Sequence, residues 1–282
     1  MVFFNFKFFT MSNSEQPIGV FDSGVGGLTV ASAIKQVLPG EKLIYFGDTA
    51  HLPYGDKSGE TIINYSKHIA DFLFQKNVKV VLIACNTASA FAYNELKQYL
   101  DDKILIVNVI DPVVNYVAEH YKETKIGVIG TKGTINSGMY EKKIVENDKS
   151  IQVASLATPL FVPMIEEGFV YDDISNAIIR SYLSSNILNN IQSLILGCTH
   201  YPIIKNQIRK FFDFKVDVLD SANIVAQSLK AQLEKNNLLN NNNSPSNEDV
   251  FYVSDYTSYF EAIARMFFEE RINLVKRNIW KE

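Results

Sequence analysis

The amino-acid sequence predicts an α/β protein with two pseudo-symmetric, doubly wound domains, mostly parallel sheets, and an active site in the cleft between the domains. One observation is that short apolar runs alternate with helical patterns along most of the chain, as βαβ units require. A second is that Ile18-Gly19-Val20 returns as Ile126-Gly127-Val128, 108 residues later, and that Cys85 returns as Cys198, 113 residues later. Two unrelated α/β halves could share such spacing by chance. Because the two cysteines are the only ones in the chain, we favour an internal duplication.

In the first half, apolar runs predict buried strands, and the longer mixed stretches between them predict helices. The predicted strands are 18–21, 42–48, 80–85 and 103–109, and the predicted helices are 28–37, 58–76 and 86–99. A glycine-rich turn, Asp22 to Gly27, opens onto the first helix, and Pro39-Gly40 ends that helix. His51 to Gly55 forms a loop after the second strand.

The same alternation continues in the second half. The predicted strands are 125–129, 152–156, 193–197, 215–219 and, last, 250–253, and the predicted helices are 113–120, 173–188, 202–212, 223–235 and 256–268. Gly130 to Thr134 is predicted to be a turn. The asparagine-rich stretch Asn236 to Asn247 predicts a flexible surface loop.

Composition excludes several classes of protein. The 282 residues are 47% hydrophobic and carry a net charge of −4 without a run of Lys or Arg, so no nucleic-acid partner is expected. Two cysteines in this length indicate a reducing, cytoplasmic setting. The apolar start, Met1 to Phe9, is interrupted by Asn5 and Lys7 and has no basic region before it. We therefore expect neither a signal peptide nor a membrane span, and Met11 could be the true start.

The two cysteines are candidate acid/base catalysts because each ends an apolar strand and is followed by polar residues. If the halves are related by a pseudo-two-fold axis, Cys85 and Cys198 approach one ligand from opposite faces, since ligands bind outside the carboxyl ends of parallel strands. Removal of the α-proton of an amino acid needs such a base and acid, and a thiol can serve as either. The alternative is that each cysteine is a small buried core residue.

Three ionisable residues could tune these thiols. Asp22, on the strand expected beside Cys85, could hold the proton of that thiol, or could merely cap the following helix. His200, two residues after Cys198, could serve the second thiol or be a turn residue. Glu166, predicted on a loop of the second half, is a further candidate or a solvated charge. The glycines after Asp22 are weak evidence for a phosphate site, since they match no phosphate-binding motif.

Four motifs together closely resemble those of bacterial glutamate racemases, within the aspartate/glutamate racemase family. They are Phe21-Asp22-Ser23-Gly24-Val25-Gly26-Gly27-Leu28, Tyr45-Phe46-Gly47-Asp48-Thr49-Ala50 with Pro53-Tyr54-Gly55, Ala84-Cys85-Asn86-Thr87-Ala88, and Leu196-Gly197-Cys198-Thr199-His200-Tyr201-Pro202. The resemblance implies cofactor-independent interconversion of L- and D-glutamate for peptidoglycan synthesis, with no metal and with a homodimer as the assembly. It implies that the catalytic residues are Cys85, Cys198, Asp22, His200 and Glu166. The implied substrate contacts are Asp22, Ser23, Tyr54, Gly55, Asn86, Thr87, Thr131, Thr134, Thr199 and His200, and Asp48 matches a further position of the family's site.

The resemblance also implies the division into domains. Residues 1–16 would be an extension, 17–110 with 223–282 a discontinuous first domain, and 111–222 the second domain. Two other functions stay open. One is an aspartate or broad-specificity racemase, although the relatives that act on aspartate typically have a glutamate where His200 stands. The other is a two-lobed amino-acid-binding module, against which the missing export signal argues.

Overall fold

A computed structural model describes residues 13–101, 103–242, 244–246, 248–268 and 273–280. The phenylalanine-rich start, Met1 to Thr10, lies outside the described residues, so its prediction stays untested. The strands are β1 (Ile18–Asp22), β2 (Leu43–Gly47), β3 (Val80–Ile83), β4 (Leu105–Asn108), β5 (Lys125–Gly130), β6 (Gln152–Ala157), β7 (Ser193–Gly197), β8 (Asp217–Leu219), β9 (Val250–Val253) and β10 (Leu274–Lys276). The helices are α1 (Leu28–Val37), α2 (Gly59–Gln75), α3 (Asn86–Tyr99), α4 (Ile110–His120), α5 (Lys132–Asn136), α6 (Met139–Asn147), α7 (Phe161–Glu166), α8 (Asp173–Leu183), α9 (Lys205–Phe211), α10 (Ser221–Lys235) and α11 (Ser258–Phe267).

The described strands form two sheets with the same central order. The first sheet runs β10-β9-β2-β1-β3-β4 and the second β6-β5-β7-β8, so β5 to β8 repeat the arrangement of β1 to β4. Every strand pair in the described residues is parallel. Parallel strands need crossover helices on the sheet faces, which explains why β1, β3 and β7 are buried along their whole length. The predicted two-sheet α/β fold is confirmed.

The carboxyl-terminal part of the chain adds strands to the first sheet. β9 pairs with β2, and β10 pairs with β9. The prediction that 250–253 is the last strand is wrong, because β10 follows it. β10 has only three residues and is held by its pairing with β9 (Leu274 opposite Phe251), so its own sequence carries too little periodicity to reveal it.

Three other predictions about local structure need correction. The predicted turn after β5 contains α5, because the Thr131 hydroxyl accepts a hydrogen bond from the Thr134 N–H and caps a short helix. The predicted helix 173–188 ends at Leu183 and is followed by a separate 3₁₀ turn, Asn186–Leu188. The predicted helix 202–212 begins as a 3₁₀ turn, Tyr201–Ile204, before α9. Side-chain caps and tight turns decided these boundaries.

The two helices that connect the halves, α10 and α4, contact each other and also pack against different sheets, and the division into domains stays a prediction. α10 packs its apolar face against α1 in a core that also contains β1 and β9 residues. α4, which follows the first sheet, instead packs with α6 and with Ile126 and Val128 of the second sheet. These helices are the two connections between the halves, and they lie close to the proposed boundaries at 110/111 and 222/223.

The asparagine-rich stretch lies on the surface, as predicted. It is attached to the turn after α1, since the Asn240 N–H donates to Glu41 Oε1 at 2.9 Å and the Ser246 N–H donates to the Pro39 carbonyl at 3.0 Å. Its flexibility stays a prediction. In the parts of the chain that the structure describes, no helix combines the length and the apolar character that crossing a membrane would need.

Candidate active site

A cavity between the two sheets is bounded by the ends of strands from both halves. It encloses about 580 Å³, counting the solvent space at its mouth. Cys85 and Cys198 both line it and are 5% and 6% exposed. The other predicted site residues that line it are Ser23, Tyr54, Gly55, Asn86, Thr87, Thr131, Thr199 and His200. Asp22, Thr134 and Glu166 lie behind this lining and contact residues that form it.

The Cys85 thiol caps α3 at the end of β3. Its sulfur accepts a hydrogen bond from the Ala88 N–H at 3.4 Å and donates one to Ser23 Oγ at 3.8 Å. Burial, together with the negative charge of Asp22, raises the pKa of Cys85 to about 12, against the smaller opposing effect of these hydrogen bonds. Cys85 is therefore a protonated thiol at neutral pH.

Asp22 has a different set of partners from the one the sequence suggested. Its carboxylate accepts hydrogen bonds from the Gly24 and Gly27 N–H groups, both at 3.0 Å, and from Thr199 Oγ1 at 3.4 Å. The thiol of Cys85 is bonded to Ser23 instead, so Asp22 acts on that thiol through its charge. The glycine-rich turn is thus occupied by the protein's own carboxylate, and the weak phosphate-site interpretation is wrong. Burial raises the pKa of Asp22, although the nearby charge of His200 opposes that shift.

The second thiol belongs to a chain of three ionisable groups. Cys198 Sγ lies 3.8 Å from His200 Nδ1, and His200 Nε2 lies 2.9 Å from Glu166 Oε1. Glu166 is the last residue of α7, not a loop residue as the sequence suggested. Burial alone would lower the pKa of His200, but its hydrogen bonds to Cys198 and Glu166 and their charges raise that pKa to about 10. His200 is therefore an imidazolium at neutral pH.

Two glycines let the halves approach closely at this cavity. A Cβ atom on Gly26 would lie 2.3 Å from Thr199 Oγ1 and 2.6 Å from His200 Nδ1. A Cβ atom on Gly55 would lie 2.6 Å from Thr131 Cβ. Only glycine fits at either position without displacing the other half.

Hydrogen-bonding groups from both halves cluster at one part of the cavity. The hydroxyls of Thr87, Thr131 and Thr134 lie 2.9 to 3.1 Å from one another. Asn86 Oδ1 accepts a hydrogen bond from the Tyr140 hydroxyl at 2.7 Å, while its buried Nδ2 has no partner among the described residues. Tyr140, on α6, was missed by sequence reasoning because it lies in no motif and 54 residues away from Asn86.

A second polar chain supports the loop after β2. Tyr54 lines the cavity, and its hydroxyl donates to Asp48 Oδ2 at 2.8 Å. Asp48 is fully buried, and both of its oxygens lie 2.9 Å from His51 Nδ1. Asp48 thus holds Tyr54 from behind and does not itself line the cavity. In the described part of the chain, no group of three or more His, Cys, Asp or Glu side chains is arranged to hold a metal ion.

Comparison with known proteins identifies the family. Residues 19–229 match the family model described as Asp/Glu/Hydantoin racemase. The glutamate racemase of Chlorobaculum parvum is 40% identical over 255 residues, which is 90% of this chain and 93% of the relative. That of Geobacter metallireducens is 42% identical over 250 residues, 89% of this chain and 92% of the relative.

Solved structures agree with these sequence comparisons. The crystal structure of glutamate racemase from Francisella tularensis in complex with D-glutamate is 41% identical, with a TM-score of 0.87 over 95% of this chain and 99% of that one. A glutamate racemase from Bacillus anthracis gives a TM-score of 0.87 at 36% identity over 94% and 98% of the two chains. With its duplicated sheets and a cysteine at each side of the cavity, this chain belongs to the Asp/Glu/Hydantoin racemase family.

Proposed function

We propose that this protein interconverts L- and D-glutamate without a cofactor, using Cys85 and Cys198 as the acid and base. The observation that carries the proposal is that the chain's only two thiols, from equivalent strands of the two halves, line one cavity. The glutamate racemases at about 40% identity, and the relative solved with D-glutamate, support glutamate as the substrate.

The surroundings of the two thiols determine how the reaction starts. His200 beside Cys198 is an imidazolium, whereas Cys85 keeps its proton. Cys198, acting as the base, takes the α-proton from one face of glutamate, and the Cys85 thiol donates its proton to the opposite face of the carbanion-like state. The protein then holds a Cys198 thiol and a Cys85 thiolate, which is the form that reacts with the other enantiomer. By analogy with the family, Cys198 deprotonates L-glutamate and Cys85 deprotonates D-glutamate.

The cavity wall supplies donors for the substrate carboxylates. The unpartnered Nδ2 of Asn86 and the hydroxyls of Ser23, Thr87 and Thr131 suit carboxylate oxygens. The Tyr140 hydroxyl donates a hydrogen bond to the amide oxygen of Asn86. Tyr140 thereby orients the amide so that the N–H₂ group of Asn86 is left to bind the substrate. Asp22, Glu166 and Thr134 act as positioning residues behind these groups.

The wider biological assignments are also part of the proposal. D-glutamate from this reaction would supply peptidoglycan synthesis in the cytoplasm, and the assembly would be a homodimer. Light scattering of the purified protein tests the dimer, since a mass near one 31.9-kDa chain contradicts it.

Deuterium exchange tests the reaction itself. Purified protein in D₂O, without added pyridoxal phosphate, should place deuterium at the α-carbon of glutamate starting from either enantiomer. A folded preparation that exchanges aspartate faster than glutamate, or exchanges neither, contradicts the proposed substrate.

Cys85→Ser and Cys198→Ser should each lower racemisation by roughly 10²–10⁴-fold, the usual contribution of a general acid or base. A mild loss in both variants would mean that the thiols are structural.

A further inference from the structure

The carboxyl-terminal end of the described chain reaches the loop that carries Tyr54. β10 lies at the edge of the first sheet, and the Arg277 N–H donates to the Val253 carbonyl at 2.8 Å. This path brings Trp280 against α2. Trp280 is the only tryptophan in the sequence, and no motif drew attention to it.

Trp280 packs into a cluster of aromatic rings, which we name the indole cluster (His51, Tyr65, His68 and Trp280). The indole meets the His51 ring edge-on with centroids 4.6 Å apart, and it contacts Tyr65 at 5.2 Å and His68 at 5.5 Å. His51 also stacks on Tyr65 at 4.3 Å, so the three rings are all in contact with one another. The indole Nε1 is buried without a hydrogen-bond partner among the described residues, so ring packing holds Trp280 in place.

The indole cluster leads directly into the active site. His51, which contacts both Tyr65 and Trp280, directs Nδ1 at both oxygens of Asp48, and Asp48 accepts a hydrogen bond from the Tyr54 hydroxyl. Tyr54 is 2% exposed and lines the cavity beside Cys85. A shift of the His51 ring would therefore move the carboxylate that fixes Tyr54.

Ser254 and Asp255, which follow β9, form hydrogen bonds with a second part of the loop that carries Tyr54. The Ala50 N–H donates to Ser254 Oγ at 2.8 Å. The Thr49 hydroxyl donates to the Asp255 carbonyl and accepts from the Asp255 N–H. Ser254, Asp255 and Trp280 thus support the loop from Asp48 to Gly55 from outside.

We propose that Trp280 is a positioning residue for the active site, acting through His51 and Asp48 on Tyr54. This inference rests on the proposed function, because it assigns Trp280 an effect on glutamate binding. Tyr54 and Gly55 form a wall of the cavity, the Tyr54 hydroxyl is hydrogen-bonded to Asp48, and the hydrogen bonds of Cys85 and Cys198 go to other groups. Loss of the indole should therefore weaken glutamate binding more than it slows proton transfer.

Steady-state kinetics on matched variants test the proposal. Trp280→Leu should raise KM for both enantiomers about ten-fold, with kcat changed by less than about three-fold. Trp280→Phe, which keeps a ring against His51, should restore most of the affinity. Tyr252→Leu is the matched control, since Tyr252 lies on β9 and packs on Phe72, and in the described part of the chain no ring contact joins it to the indole cluster. A wild-type KM in Trp280→Leu overturns the proposal, and so does an equal rise in Tyr252→Leu, which would indicate general destabilisation.

The fluorescence of the single tryptophan gives a readout that does not depend on turnover. Tyr54→Phe removes the hydroxyl that donates a hydrogen bond to Asp48 and should shift the emission maximum of Trp280. Tyr140→Phe, which removes a buried hydroxyl bonded to Asn86 and not to Asp48, should leave that emission unchanged. If wild-type protein fails to exchange the α-proton of glutamate, the proposed function fails, and the coupling of Trp280 to Tyr54 is still decided by these emission spectra. Identical spectra in wild type and Tyr54→Phe overturn it.

Discussion

Glu166→Gln should shift the pH dependence of catalysis without removing any group that touches the substrate. Glu166 is one of two groups that hold the His200 proton, the other being Cys198. Glutamine keeps the shape and can still accept a hydrogen bond, but it loses the negative charge. The pKa of His200 should therefore fall, and the imidazolium beside Cys198 should lose its proton at a lower pH.

The size of the effect follows from the environment of His200. Its pKa is about 10, against an ordinary 6.5, and both partners raise it. If Glu166 supplies about half of that rise, its loss lowers the pKa by one to two pH units, or about 2 kcal/mol at 1.36 kcal/mol per unit. The alkaline limb of kcat/KM should move down by the same interval, which corresponds to about a two- to ten-fold loss of activity at pH 9.

The assay is α-proton exchange in D₂O from each enantiomer, measured from pH 6 to 10.5. The loss should be larger for the enantiomer that Cys198 deprotonates, since only that thiol contacts His200. Glu167→Gln is the matched control, because Glu167 is the next residue but is exposed. An unchanged alkaline limb in Glu166→Gln, or the same shift in Glu167→Gln, would refute the reasoning.

Three further predictions concern neighbouring contacts. Tyr140→Phe leaves the buried Asn86 oxygen without its hydrogen bond, which costs about 1–3 kcal/mol. KM for glutamate should therefore rise about ten-fold or more. A wild-type KM would contradict the role of Tyr140 in orienting the Asn86 amide. Gly26→Ala places a methyl group 2.6 Å from His200 Nδ1. The value of kcat should fall at least about 100-fold, and the free energy of unfolding should fall by about 1–3 kcal/mol. A fully active variant would show that the turn can move to make room for the methyl group. Because the folded-state pKa of His200 is raised to about 10, the stability it contributes is complete below about pH 6.5 and lost as pH rises through 10. The difference in free energy of unfolding between wild type and Glu166→Gln should shrink between pH 6.5 and 10. A constant difference would contradict a stabilising ion pair between His200 and Glu166.

The sequence predicted the two-sheet fold and many of the side chains that line the cavity, whereas Asp22, Thr134 and Glu166 lie behind that lining. Buried parallel strands carry near-continuous apolar runs, so β1, β3 and β7 could be recognised from local pattern alone. Cys85 and Cys198 stood out because they follow such runs in matched places. The strand orders of the two sheets support the duplication that this spacing suggested.

The contacts that the sequence did not reveal join residues far apart in the chain. Tyr140 and Asn86 come from different halves, and Trp280 meets His51 across more than 200 residues, so neither pair leaves a local pattern. The partner of Cys85 was also misjudged. The pairing of two strands does not specify which oxygen atom will accept the hydrogen bond of a thiol at the strand end. The Asp22 carboxylate accepts hydrogen bonds from the N–H groups of its own turn instead.

The order of strands in the first sheet has a consequence for biosynthesis. β2 lies in the interior of that sheet, between β1 and β9, yet β9 leaves the ribosome about 200 residues after β2. Until then the nascent chain exposes one edge of β2, an open template for pairing with other chains. Contacts of such long sequence separation also form slowly. The loop that carries Tyr54 should therefore be the last wall of the active site to become ordered, and the protein should become competent to bind substrate only when β9 and β10 have joined the sheet.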